Sequence, residues 1–245
     1  MIDVKVIASG SSGNCTVLTS GSTIILLDAG IKFSTIQTAL DFKNPTAVLI
    51  THEHGDHAHK STLKEFLKRG VEVLMTHGTA EALKLEPRHN LIYCTEKATA
   101  WVGSCVVSWE KVFHDAAEPV SFAVEDGDDT VVYITDTGWL GQFDDDEVSY
   151  MRFGNEPLNV TKLLIEANFD SDALFDSNIN SKLKDRIYEN HLSISQVVEL
   201  LSRVEMPKLK EVWLMHISKR HGDGERFRQM AQAVVPESVK VFLAI

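Results

Sequence analysis

Three histidines and an aspartate fall within six residues of Thr51-His52-Glu53-His54-Gly55-Asp56-His57, directly after the apolar run Ala47-Val48-Leu49-Ile50. Imidazole nitrogen and carboxylate oxygen together suit zinc, manganese or iron, and the second oxygen of Asp56 can reach a second cation. The spacing is not His-Glu-x-x-His, which excludes the helical zinc-protease motif. The run before the cluster is short and β-branched and follows Pro45, so it reads as a buried strand with the ligands on a short loop at its end. A merely solvated loop gives no reason for such a density of histidine.

Three further residues stand at the same kind of place. His114 follows Val112-Phe113, Asp136 follows Val131-Val132-Tyr133-Ile134-Thr135, and His216 follows Val212-Trp213-Leu214-Met215. Any one alone is an ordinary turn aspartate or core histidine. Recurring at strand ends, where a sheet presents side chains to one rim, they point to a convergent site. His59 lies close enough to the first cluster to touch it, whereas His77, His89 and His221 read as surface residues. Asp144-Asp145-Asp146-Glu147 reads as a solvated acidic loop. Trp139 and Phe143, near Asp136, either line a base pocket or pack in the core.

The elements that position these residues come as β-then-α material, twice. Strands are expected at Val4–Ala8, Cys15–Thr19, Thr23–Asp28, Ala47–Ile50, Val71–Met75 and Asn90–Cys94. Helices are expected from a Ser34 cap to Phe42, from a Ser61 cap to Gly70, and over Thr79–Leu85. Ser9-Gly10-Ser11-Ser12-Gly13-Asn14 lacks the ending of a nucleotide P-loop and reads as a tight turn. Strands follow at Ala100–Val102, Val106–Trp109, Val120–Val124 and Thr130–Thr135. The second half adds strands at Lys162–Glu166, Glu211–Met215 and Val239–Leu243, with helices at Ser193–Val204 and Glu225–Val234. With no linker between the halves, one α/β domain over residues 1–245, a four-layered sandwich, is expected.

Composition narrows the partners. The chain has 245 residues, 44% of them hydrophobic, enough for a large core, and a formal net charge of −11 that disfavours long polyanions unless basic residues such as Arg220 offset it locally. Cys15, Cys94 and Cys105 are widely spaced and read as reduced core thiols. No signal peptide or membrane-length apolar run is seen, so a cytoplasmic protein is expected.

His52-x-His54-x-Asp56-His57, followed by His114, Asp136 and His216, resembles the ligand set of the metallo-β-lactamase superfamily in order and approximate spacing, over essentially the whole chain. The resemblance implies two divalent metal ions, zinc by preference for nitrogen-rich donors and manganese otherwise. One would take His52, His54 and His114, the other Asp56, His57 and His216, with Asp136 shared. An aspartate rather than a cysteine at Asp136 is similar to the phosphodiesterase branch. Leu214-Met215-His216-Ile217-Ser218-x-Arg220 and Glu189-Asn190-His191-Leu192-Ser193 are similar to motifs of ribonuclease Z. They imply Asp56 and His191 as catalytic residues, and His191, Ser218, Arg220 and the strand-ending Glu166 at the substrate. No tRNA-gripping arm is seen.

The compact branch beginning with a Ser-Gly-Ser-Ser-Gly-Asn turn includes an exonuclease-like bacterial group and the phage-type anti-Pycsar phosphodiesterases, and the His114-Asp115-Ala116-Ala117-Glu118-Pro119 run leans toward the latter. The expected activity is therefore hydrolysis of 3′,5′-cyclic mononucleotides. A DNA or RNA exonuclease is the alternative, and a non-catalytic metal-binding module the rival from another class. By the same resemblance a homodimer is expected, with Gly138 to Asn159 crossing to a neighbouring subunit.

Overall fold

The structure, a computed structural model, describes residues 1–95, 99–140, 149–150, 152–153, 156–157 and 159–244. Phe143, the acidic run 144–147 and most of the segment from Gly138 to Asn159 lie outside the described residues. The chain divides into two compact units, the first comprising Met1–Lys111 and Ala116–Asp128, the second Val112–Asp115 and Asp129–Ala244.

The first unit contains β1 (Asp3–Ala8), β2 (Cys15–Ser20), β3 (Thr23–Leu27), α1 (Phe33–Ala39), β4 (Ala47–Leu49), α2 (Lys60–Lys68), β5 (Glu72–Thr76), α3 (His77–Ala82), β6 (Leu91–Cys94), β7 (Thr99–Val102), β8 (Cys105–Lys111) and β9 (Val120–Glu125). β1, β2 and β3 pair antiparallel, and β3, β4, β5 and β6 continue the same sheet in parallel. β7, β8 and β9 form an antiparallel meander. All three residues of β4 are fully buried, as a central strand covered on both faces requires.

Helix α2 lays Thr62, Leu63, Phe66 and Leu67 on the core at helical spacing. Each such Leu or Phe contributes about 1.5–3 kcal/mol by leaving water. The expected starts of two helices move by a residue or more. α1 begins at Phe33, because that ring packs edge-on against Phe66 at 5.0 Å and carries Arg69 over its face at 4.7 Å; Ser34 lies inside the helix. The helix ends at Ala39 because Asp41 and Phe42 turn to φ 50° and 60°. α2 begins at Lys60 with His59 at the N-cap, and Ser61 Oγ lies 3.1 Å from the His59 ring instead of capping.

The second unit contains β10 (Thr130–Ile134), the two-residue strands β11 (Ser149–Tyr150), β12 (Arg152–Phe153) and β13 (Glu156–Pro157), then β14 (Lys162–Glu166), α4 (Ser171–Phe175), α5 (Ser181–Asn190), α6 (Ile194–Arg203), β15 (Val204–Glu205), β16 (Glu211–Met215), α7 (Gly224–Gln232) and β17 (Lys240–Leu243). β10, β14, β16 and β17 lie side by side and parallel. Every residue of β10 and β14 is buried, which suits a parallel sheet. Ser193 caps α6 in a full capping box with Gln196. α4 and α5 were not expected from the sequence. α5 buries none of its residues, so it shows no apolar stripe to read.

Candidate functional site

Three residues that leave buried strands do so with left-handed backbones: Asp28 after β3 (φ 59°), Asp136 after β10 (φ 49°) and His216 after β16 (φ 51°). An L-residue pays roughly 1–2 kcal/mol for that conformation. Such strain collects where the surrounding structure holds side chains for function.

In the first unit, Asp28 is completely buried and organises the histidine loop. Its Oδ1 accepts the Thr51 amide at 2.9 Å, and its Oδ2 lies 2.7 Å from His57 Nδ1. A His57 ring that donates from Nδ1 carries its lone pair on Nε2, the atom that a metal takes. The Asn14 side-chain amide nitrogen lies 2.9 Å from that Nε2, and the Asn14 backbone N–H donates to the Asp56 carbonyl at 2.6 Å. His52 is buried, with Nδ1 at 3.0 Å from Thr51 Oγ1, and its ring stands 4.7 Å from that of His54 and 4.3 Å from that of His57. Glu53 turns away and accepts the Ala117 amide at 2.8 Å. The tight fit of the loop depends on Gly30, where a Cβ would stand 1.6 Å from the Asp56 carbonyl oxygen. His59 is engaged at the start of α2, with Nδ1 at 3.0 Å from Thr62 Oγ1.

In the second unit, Asp136, Glu166, His191 and His216 each bring a donor atom within 4.8 Å of the others. Glu166 Oε1 lies 2.6 Å from His191 Nδ1 and 2.9 Å from His216 Nδ1, while Oε2 accepts the amides of Thr137 and Leu192 at 3.3 and 3.2 Å. Asp136 Oδ1 lies 3.0 Å from His216 Nδ1, and its Oδ2 lies 3.6 Å from His114 Nε2. The Nδ1 of His114 lies 3.0 Å from the Asn190 carbonyl, so that ring too donates from Nδ1 and carries its lone pair on Nε2. Asn168 holds the turn by donating to the His216 carbonyl at 2.9 Å.

The electrostatics follow from this packing. Burial works to raise the Glu166 carboxyl, but the His191 charge and the hydrogen bonds from His191 and His216 outweigh it and hold the group below its usual value. Burial likewise works to lower His191, and the Glu166 charge and hydrogen bond reverse it, so the imidazolium is favoured. His114 is lowered, chiefly by burial, and stays neutral. Neutral imidazoles with fixed tautomers and buried carboxylates are a donor set that fits a divalent cation of the zinc type.

The sequence-predicted residues do not all hold the expected positions. Glu166, expected at the substrate, is fully buried with both oxygens taken up by protein donors, so it braces histidines. Ser218 accepts the amides of Arg220 and His221, both at 3.3 Å, which shapes the loop that presents the exposed Arg220. His221, expected on the surface, is buried, and its carbonyl accepts the Asp170 amide at 2.8 Å. Asn14, Asp28 and Asn168 were missed. For Asp28 the signal was a carboxylate ending the buried strand Thr23-Ile24-Ile25-Leu26-Leu27; for the two asparagines there was none beyond their places beside turns. Trp139 is half-exposed and stands edge-on to Phe113 at 4.8 Å. Among the described residues, no helix is long and apolar enough to cross a membrane.

Two curated bacterial proteins resemble the chain over nearly its full length. Exodeoxyribonuclease WalJ of Streptococcus pneumoniae is 29% identical over 247 residues, covering 94% of this chain and 88% of its own. Exodeoxyribonuclease YycJ of Bacillus anthracis is 25% identical over 254 residues, covering 91% and 92%. Among solved structures, the metallo-β-lactamase fold protein YhfI from Bacillus subtilis superposes with a TM-score of 0.67 over 99% of this chain and 96% of its own, at 17% identity. The fold is thus the α/β metallo-β-lactamase fold. Residues 23–217 match the family described as the beta-lactamase superfamily domain, and with its clustered histidine and aspartate donors the chain belongs to the metallo-β-lactamase superfamily.

Proposed function

We propose that the protein is a metal-dependent exodeoxyribonuclease, removing nucleotides from a DNA end by hydrolysis of the phosphodiester. The observation that carries this reading is His191, whose Nδ1 lies 2.6 Å from the buried Glu166 carboxylate beside Asp136 and His216, in a chain whose nearly full-length relatives are named exodeoxyribonucleases. The ligand assignment rests on the family pattern: His52, His54 and His114 for one divalent cation, Asp56, His57 and His216 for a second, and Asp136 for both. Cations at these donors supply Lewis acidity toward a phosphate oxygen and toward water.

The chain's own residues do the rest. Glu166 accepts a hydrogen bond from His191 Nδ1–H, which leaves Nε2–H as a donor to a phosphoryl oxygen or to the departing oxygen. Arg220, exposed on the loop that Ser218 shapes, offers a guanidinium that can pair bidentately with a phosphate. Asp28 and Thr51 keep the histidine loop from rearranging.

The cyclic mononucleotides favoured by the sequence find no counterpart in the names of these relatives, and they form the competing arm of the test. The zinc- or manganese-loaded protein is incubated with end-labelled single- and double-stranded DNA and, separately, with cCMP, cUMP, cAMP and cGMP. Stepwise shortening of DNA, abolished by chelation and regained on adding metal back, is expected. Consumption of a cyclic nucleotide with DNA left intact overturns the proposal.

A further inference from the structure

Helix α2 begins just past His57 and has two unlike faces. Thr62, Leu63, Phe66 and Leu67 are buried in the core, whereas Lys60, Lys64 and Lys68 are exposed. Spaced i, i+4 and i+8, the three lysines share one stripe, about 6 Å apart and about 12 Å from first to last. Among the described residues, none of the three ammonium groups is held in an ion pair or a hydrogen bond. The surroundings do not neutralise them. Glu65, the one acidic residue of the helix, is half-buried and lies about 100° round the helix from Lys64. Helix α1, packed against α2 through Phe33 and Phe66, carries no acidic residue. In a chain of net charge −11 the stripe is a local reversal of sign.

The stripe is also fixed to the histidine loop. The amide of His59, the N-cap, donates to the Ala29 carbonyl at 3.0 Å, and Thr62 Oγ1 in the first turn donates to the Ile31 carbonyl at 2.7 Å. Between these two carbonyls lies Gly30, on which the Asp56 carbonyl and the His57 amide nitrogen close in. The helix thus starts from the segment that seats His57, and the lysines lead away from that segment in order.

We infer that Lys60, Lys64 and Lys68 form a track for the phosphodiester backbone of the DNA strand whose end is being degraded. The inference rests on the nuclease reading above and deepens it by placing the strand beyond the scissile bond along α2. Each ammonium is a point charge on a flexible stem, so the contacts go to phosphates and carry no base preference. An anionic membrane fits the stripe less well. The apolar side chains of α2 are Leu63, Phe66 and Leu67, all buried in the core, so none is left to enter a bilayer.

The test uses the zinc-loaded protein and a fluorescent oligodeoxythymidine whose phosphorothioate linkages resist cleavage, with binding measured between about 50 and 200 mM salt. For Lys60→Gln/Lys64→Gln/Lys68→Gln, the plot of log affinity against log salt should be shallower by about 2, and affinity at the low-salt end should fall about 10- to 100-fold. Lys84→Gln/Lys208→Gln/Lys240→Gln removes the same charge from exposed lysines elsewhere and should leave the slope nearly unchanged. Both variants should keep the zinc content of the wild type. Equal losses of slope in the two variants would show a general charge effect, and loss of zinc together with the slope would show a structural role; either result overturns the track. If the wild-type protein shortens DNA but the α2 variant binds with the wild-type slope, the track is wrong and the nuclease reading stands. If the wild-type protein neither binds nor cuts DNA, both fall. Binding to phosphatidylserine vesicles that is lost with the three α2 lysines, while DNA binding is kept, assigns the stripe to a membrane and likewise overturns the proposal.

Discussion

Glu166 Oε1 lies 2.6 Å from His191 Nδ1, and the same oxygen lies 2.9 Å from His216 Nδ1. One buried carboxylate oxygen thus fixes two histidine rings, His191 and His216, together. Glu166→Gln keeps the shape but removes the charge that raises the pKa of His191. DNA turnover should fall about 10²–10⁴-fold, the range of a lost general acid. His191→Gln should lower turnover to a similar extent yet retain zinc, while Glu166→Gln should also weaken zinc through His216, by about 10–100-fold. Turnover and zinc content measured on both variants check this. Wild-type turnover in Glu166→Gln would remove the carboxylate from the mechanism.

Asp28 plays the corresponding part in the first unit, bonded to His57 Nδ1 at 2.7 Å and to the Thr51 amide and hydroxyl. Asp28→Ala leaves buried donors without their acceptor, at about 1–3 kcal/mol each. The protein should melt earlier and bind zinc about 10–100-fold more weakly, because the His57 tautomer is no longer fixed. Competition with a zinc chromophore reads the affinity; an unchanged constant in a folded variant would show that His57 needs no such brace.

What the sequence made legible were the residues whose type is costly to place without purpose. His52, His54, Asp56 and His57 follow an apolar run, and Asp136 and His216 end buried strands, so position and chemistry point the same way. Glu166 also ends such a strand, but its direction into the protein depends on the amides of Thr137 and Leu192, which no local pattern announces. Helix α5 stayed hidden for a different reason. Its polar residues satisfy no core-facing period, and its only sign was the Asn180 cap, whose side chain accepts the Leu183 amide at 2.9 Å.

Gly30 admits no side chain, since a Cβ there would meet the Asp56 carbonyl at 1.6 Å and the His57 amide nitrogen at 2.7 Å. Both contacts are backbone, so the loop carrying His54 to His57 must shift. Gly30→Ala should destabilise the protein by about 1–3 kcal/mol, the usual cost of overpacking. It should also cut bound zinc more than an equally destabilising core change such as Leu63→Ala. Equal zinc in the two variants at matched stability would show that the loop accommodates the methyl group.

Cys94 supplies a pH-dependent check on the core. Burial, assisted by the Glu118 charge, pushes its thiol up to about 12, and Cys15 is raised further for the same first reason with Asp28 adding to it. The sign follows from proton counting. An unfolded thiol loses its proton near the ordinary value, while folded Cys94 keeps it until about 12, so between those points the native state binds more protons. The stability that this thiol contributes is fully present below the ordinary thiol range and is lost as pH rises through it toward 12. Cys94→Val, similar in volume and without a proton to lose, should therefore give up less stability on going from about pH 8 to about pH 10.5, by roughly 1–2 kcal/mol. Urea unfolding of both proteins at the two pH values measures the difference, and common alkaline effects on lysine and tyrosine cancel in the comparison. Parallel losses would mean that Cys94 ionises in the folded protein as it does in the unfolded chain, and that β6 is not sealed from water as its burial implies.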